Sequence, residues 1–210
     1  MIGVTIAIGQ HYLELAERAA ESCRRYTGLD VLVISSLLGF SRVSQLKLRL
    51  FEPPLSLRGT VLWFDADMYF CRSWDLSELG NKPEVAGVHD YDTPEVMREA
   101  GRLGLHWPTY INGGLWVANS DHHRGLFARA ASLYDRPALT TCCREQFSIN
   151  LALRDMRTPV RLLDRRYNWI THPEAATPDD VVVLHAAGGG LQSANRKKFA
   201  EEVRRWQTKC

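Results

Sequence analysis

The stretch TVLWFDADMYF, residues 60–70, runs a strand-like apolar segment straight into two carboxylates, Asp65 and Asp67. Thr60 to Phe64 is rich in β-branched and aromatic residues without a polar alternation, the pattern of a strand covered on both faces. Strands of that kind belong to open α/β sheets, where ligands collect beyond the carboxyl ends of the strands. Residues i and i+2 of an extended segment point to one side, so Asp65 and Asp67 can address one ion at that edge. Two anions held together repel, and a cation relieves the repulsion. The competing reading is a solvated strand end with a turn-forming aspartate. The triplet alone is weakly specific, since Asp90-Tyr91-Asp92 repeats it.

Outward from this strand, helical and extended segments alternate. Met1 to Ile8 reads as a first strand, and His11 to Tyr26 repeats its apolar residues at helical spacing until Gly28 breaks it. Val31 to Ile34 is a second strand, and Ser44 is expected to cap a helix running through Phe51 to the breakers Pro53-Pro54. After the carboxylates come a strand over Glu84 to His89, a helix over Pro94 to Arg102 and a strand over Ile111 to Ala118, interrupted by Gly113-Gly114. Helices at Asp121 to Tyr134 and Glu145 to Arg154, strands at Val160 to Leu163 and Val181 to His185, and a basic amphipathic helix within 195–208 complete the chain. The expectation is one α/β domain over residues 1–210, with a mainly parallel central sheet flanked by helices.

Composition narrows the function. The 210 residues are 45% hydrophobic and 24% charged, proportions of a globular chain that buries roughly 70% of its unfolded surface. A formal charge of +2 gives no global field to gather nucleic acid, so none is expected as a partner. The N-terminus lacks a basic leader region and no stretch approaches the ~18 apolar residues of a spanning helix, which leads to the expectation of a cytoplasmic protein. Five cysteines without zinc-ligand spacing, two of them vicinal at Cys142-Cys143, read as reduced thiols.

A second strand also ends at a metal-capable side chain: Val181 to Leu184 delivers His185 into a glycine-rich segment, Gly188 to Gly190. A histidine after a strand is often satisfied by a carbonyl, but glycines let backbone approach a bulky anion and form an anion nest. Two carboxylates and an imidazole suit Mn²⁺ or a similar ion better than Ca²⁺.

The order of these motifs resembles the retaining glycosyltransferases of the GT-A fold, most closely glycosyltransferase family 8, the group of glycogenin and bacterial galactosyltransferases, over nearly the whole chain. The resemblance implies a nucleotide-diphospho-sugar transferase domain using Mn²⁺ or Mg²⁺ and a nucleotide diphosphate sugar, a UDP-sugar, as donor. It assigns the metal to Asp65, Asp67 and His185. Donor contacts fall on Ala7, Ile8 and Tyr12, the last stacking on the base, and on Lys47 in KLRLF, Asp65, Ala66, Asn112 and Gly114 in YINGGLWVAN, and Gly188 in an H-x-x-G. Asp90 in VAGVHDYD, and Glu145 and Gln146 in REQFSIN, fall where catalytic groups meet the transferred sugar; YNW, Tyr167 to Trp169, is similar to an acceptor-side signature. The acceptor implied is a glycan, lipid or protein.

The chain departs from the family pattern at three places. Gly9 stands where an aspartate reads uracil, Leu191 where a lysine clamps the diphosphate, and Glu145 where an aspartate is usual. Arg196 or Lys197 in the final helix is a candidate substitute for the lysine. The rival reading is a non-catalytic nucleotide-sugar binding protein that kept the fold; a D-x-D phosphatase fits poorly, because the motif follows an early βαβ unit. The basic tail helix either packs its apolar side on the domain or makes peripheral contact with an anionic membrane surface.

Overall fold

The computed structural model describes residues 1–91, 93–136, 143–187 and 194–208. In chain order the elements are β1 (Ile2–Ile6), α1 (Gln10–Thr27), β2 (Val31–Ile34), α2 (Val43–Lys47), β3 (Thr60–Phe64), β4 (Met68–Phe70), β5 (Val85–His89), α3 (Pro94–Arg102), β6 (Ile111–Asn119), α4 (Ser120–Tyr134), α5 (Arg144–Asp155), β7 (Val160–Leu163), β8 (Trp169–Ile170), β9 (Val183–His185) and α6 (Ala194–Gln207).

The main sheet has the order β2-β1-β3-β6-β5-β7. Pairings are parallel except on the two sides of β6, which runs antiparallel to both β3 and β5. All five residues of β3 and all nine of β6 are buried, as central strands covered on both faces require. Alternation along β3 divides the core: Val61 and Trp63 join the layer with Phe127 and Phe147, while Leu62 and Phe64 join the layer with Ala19 and Cys23. The first layer holds residues of α4 and α5, the second residues of α1. Ala16, Ala19 and Ala20 on α1 are fully buried, and Gly28 closes that helix in the left-handed conformation with its N–H on the Arg24 carbonyl.

A small second sheet, β4-β9-β8, packs beside the first. Its strands have three, two and three residues, too short for sequence periodicity to reveal β4 and β8. Pairing places Met68 opposite His185 and Ile170 beside it. The apolar side of α6 covers this sheet: Phe199, Val203 and Trp206 are buried against Tyr69, Cys71, Val181 and Leu184. Two of its basic residues are engaged locally, Lys198 with Glu202 and Arg205 with Glu202 and Asp179. No described helix is long and apolar enough to cross a membrane.

Two expectations change. The second helix begins after Arg42, with Ser44 inside it, and ends at Lys47 rather than Phe51. Leu46, Leu48, Leu50 and Phe51 are all fully buried, which no single face of a surface helix permits, and the chain turns tightly instead, with Arg49 N–H on the Leu46 carbonyl and Glu52 N–H on the Arg49 carbonyl. β6 is a single strand through Gly113-Gly114, but its register with β5 shifts across them, from Gly87 opposite Trp116 to His89 opposite Ile111. Of the cysteines, Cys23 and Cys71 are buried and Cys143 is half-buried; Cys142 and Cys210 lie outside the described residues.

Candidate metal and donor site

β3 ends at Phe64, and the Asp65 N–H donates to the Gly114 carbonyl at 2.9 Å, which ties the turn to β6. The two carboxylates are then held alike. Oδ1 of Asp65 accepts from Lys47 Nζ at 3.2 Å and from the indole of Trp63 at 3.1 Å, with the Lys47 ammonium 4.8 Å from the Trp63 ring centre. Oδ2 of Asp67 accepts from Arg196 at 3.0 Å. The other oxygen of each faces Nε2 of His185, at 3.9 Å from Asp65 Oδ2 and 3.5 Å from Asp67 Oδ1.

Ligand atoms of Asp65, Asp67 and His185 all lie within 4.8 Å of one another, the convergence a divalent ion needs. One carboxylate oxygen from each aspartate and one ring nitrogen remain directed at that point, so the residues present fit a metal without displacing Lys47 or Arg196. Burial works to raise the Asp67 carboxyl, yet His185 and Arg196 outweigh it and hold Asp67 below its ordinary value.

His185 reaches this point because residue 114 has no side chain. A Cβ there would come 2.5 Å from Cε1 of His185 and 3.0 Å from Asn112 Oδ1. Gly113 is less tightly constrained, since its Cβ would lie 3.2 Å from that of Gln146. Both glycines also pin a neighbouring amide. Gly113 N–H donates to Gln146 Oε1 at 2.7 Å, and Gly114 N–H donates to Asn112 Oδ1 at 2.8 Å. The NH₂ groups so oriented both donate to Asp90, Asn112 to Oδ1 and Gln146 to Oδ2, each at 2.7 Å. Gln146 also donates to the Tyr110 hydroxyl at 3.1 Å. Asp90, Asn112 and Gln146 are all buried, and Gly114 ties the trio to the carboxylates, its N–H donating to Asn112 and its carbonyl accepting from Asp65.

In front lies a cleft of about 390 Å³, lined by Ile8, Tyr12, Lys47, Trp63, Asp65, Ala66, Asp67 and Glu145 among others, within the usual size of small-molecule sites. Tyr12 is 42% exposed, and the Arg196 guanidinium sits 5.9 Å from its ring centre. Of the residues expected here, Ile8, Tyr12, Lys47, Asp65, Ala66 and Glu145 line the cleft. Ala7 is buried against Ala16 and Ala66, behind the lining. Gly188 and Asp92 lie outside the described residues.

Sequence reasoning did not single out Trp63, and it included Asn168 only within YNW, as part of an acceptor-side signature rather than a partner of His185. Trp63 was legible in principle, since residues i and i+2 of a strand share a side. Asn168 gave no such signal: it is fully buried, and its amide oxygen meets Nδ1 of His185, 17 residues away, at 2.8 Å.

No family model and no curated protein sequence matches the chain. Solved structures do. The bifunctional glycosyltransferase WbbM in its apo form matches with a TM-score of 0.67 at 16% identity, over 99% of this chain and 50% of that one. The glycosyltransferase GlyE of Streptococcus pneumoniae matches with a TM-score of 0.64 at 14% identity, over 99% of this chain and 63% of that one. The galactosyltransferase LgtC, solved with donor and acceptor sugar analogs, matches with a TM-score of 0.66 at 14% identity, over 99% and 96%. The chain thus spans half of WbbM and under two thirds of GlyE, and it has the GT-A glycosyltransferase fold.

Proposed function

We propose that the protein is a metal-dependent glycosyltransferase that moves a hexose from a nucleotide diphosphate sugar, a UDP-sugar on the family resemblance, to a glycan, lipid or protein hydroxyl with retention of configuration. The observation that carries this reading is the charge arrangement around His185. Lys47 and Arg196 already balance Asp65 and Asp67. A divalent ion held by Asp65, Asp67 and His185 would therefore give these groups, with Lys47 and Arg196, a double positive charge, the complement of a diphosphate.

Mn²⁺ or Mg²⁺ bound there supplies Lewis acidity for the negative charge that develops on the departing phosphate. Lys47 and Arg196 add fixed positive charge beside the same point, and Arg196 takes the part expected of the lysine absent at Leu191. Tyr12 offers its exposed ring to the base. Glu145 lines the cleft and is the acid that the resemblance sets beside the transferred sugar, while Asn112 and Gln146 hold Asp90 in one orientation. A preorganised arrangement of this kind costs no rearrangement when charge develops.

Thermal-shift measurements with nucleoside diphosphates and their sugars, each with and without Mn²⁺, test the proposal. The expected result is a rise in melting temperature that needs both components. Stabilisation by nucleotide that is indifferent to metal, or none with any pair, would refute it.

A further inference from the structure

We propose that Asn168 is a positioning residue that keeps a proton on Nδ1 of His185, so that Nε2 presents its lone pair to the cation. The inference rests on the metal reading above and follows from a chain of hydrogen bonds with one allowed direction. It starts at a group whose polarity is fixed: the Gly114 backbone N–H can only donate, so the atom of Asn112 it meets at 2.8 Å is the oxygen. A reversed Asn112 would set its NH₂ against that N–H and its oxygen against Asp90.

The same Asn112 oxygen lies 2.9 Å from the amide of Asn168, which must offer its NH₂, because two oxygens at that distance would repel without a shared hydrogen. The oxygen of Asn168 is thereby turned to Nδ1 of His185 at 2.8 Å, and Nδ1 must carry the hydrogen. The other ring nitrogen is then the one facing Asp65 and Asp67. Thr171 fixes the backbone of the same residue, donating its N–H to the His185 carbonyl at 2.9 Å. Asn168 is fully buried and His185 nearly so, so water does not compete for either bond.

The partner on the remote nitrogen of a metal-binding histidine sets its tautomer and orientation, and removing such partners typically weakens metal binding by about 10- to 100-fold. Asn168 also joins His185 to Asp90 through one shared residue, Asn112, whose Oδ1 accepts from Asn168 and whose Nδ2 donates to Asp90.

The test has two readouts. Long-range ¹H–¹⁵N spectra of the metal-free wild type, at a pH where the His185 ring carries one proton, are expected to place it on Nδ1. A proton on Nε2 overturns the assignment without any variant having to fold. Calorimetric titration with MnCl₂ then compares wild type, Asn168→Ala and Asn168→Asp. The alanine variant is expected to bind Mn²⁺ about 10- to 100-fold more weakly. The aspartate variant still accepts from Nδ1 but sets an oxygen against Asn112 Oδ1, so it is expected to lose affinity by a clearly smaller factor than the alanine variant. Equal binding by the alanine variant overturns the positioning role, as does an equal loss in both variants, the mark of a merely structural residue. A wild type that binds no Mn²⁺ overturns the metal reading and the role built on it, while the spectrum reports the proton separately.

Discussion

Nη2 of Arg196, in the last helix, lies 3.0 Å from Oδ2 of Asp67, 129 residues earlier in the chain. The contact brings the C-terminal helix to the tip of the strand that opens the site. It places a cation beside one of the two carboxylates at that tip. Arg196→Ala is predicted to weaken binding of a nucleoside diphosphate in the presence of Mn²⁺ by about 10- to 100-fold, the value of a hydrogen bond to a charged group. Mn²⁺ alone should bind no more weakly, since a competing positive charge has gone. Titrations of the metal and of the metal-loaded protein separate the two effects.

Asp67→Asn keeps the shape and the bond from Arg196 but removes the charge that faces His185. We expect loss of Mn²⁺-dependent transfer and of Mn²⁺ binding, with the circular dichroism spectrum unchanged. Transfer that persists at saturating metal would remove Asp67 from the ligand set.

Gly114→Ala forces a methyl against the His185 ring and Asn112. Overpacking of this kind typically costs about 1–3 kcal/mol. For a chain of this size that is a drop of about 2–12 °C in melting temperature. Mn²⁺ affinity should fall as well, because the ring that must move carries the ligand atom. A variant with wild-type melting and wild-type Mn²⁺ binding would contradict the close approach.

Tyr12 tests the donor rather than the metal. Stacking of a base on an aromatic ring is worth about 1–3 kcal/mol, so Tyr12→Ala should weaken a nucleoside diphosphate about 5- to 100-fold. Inorganic pyrophosphate, which has no base, should bind the variant and the wild type alike. Equal losses for both ligands would make Tyr12 a packing residue.

Burial pushes the Cys23 thiol from 9.0 up to about 11, against smaller opposing effects of Thr27 and Arg24. The unfolded chain releases this proton before the folded one, so the stabilisation is complete below the unfolded value and is lost as pH rises toward 11. Urea unfolding from about pH 8 to 11 should show the wild type losing up to about 3 kcal/mol more than Cys23→Ala. Parallel slopes for the two proteins would dismiss Cys23 as the source.

Residues with a strong local pattern were readable in the sequence. β3 at Thr60–Phe64, α3 at Pro94–Arg102 and β7 at Val160–Leu163 have the limits the pattern implied. The grouping of Asp65, Asp67 and His185 was also legible, because two apolar strands each lead to side chains able to hold a metal, and the three do converge. What escaped depends on partners far away in the chain. β4 and β8 exist only by pairing with β9. Gly113-Gly114 looked like an interruption, whereas Gln146 and His185 require the missing side chains there. The clamp on Asp65 needed Lys47 to be buried, which its charge argues against until Trp63 and Asp65 are placed around it.

The ligand trio draws on both sheets: Asp65 follows the end of β3, whereas His185 closes β9 in the smaller one. An ion held by all three would act as a crosslink between segments separated by more than half the chain. It would join the small sheet to the large one much as a covalent staple joins distant loops. Unfolding would then have to release the ion, so the resistance of the small sheet to proteolysis would rise with free metal concentration, by mass action and with no other part of the molecule altered.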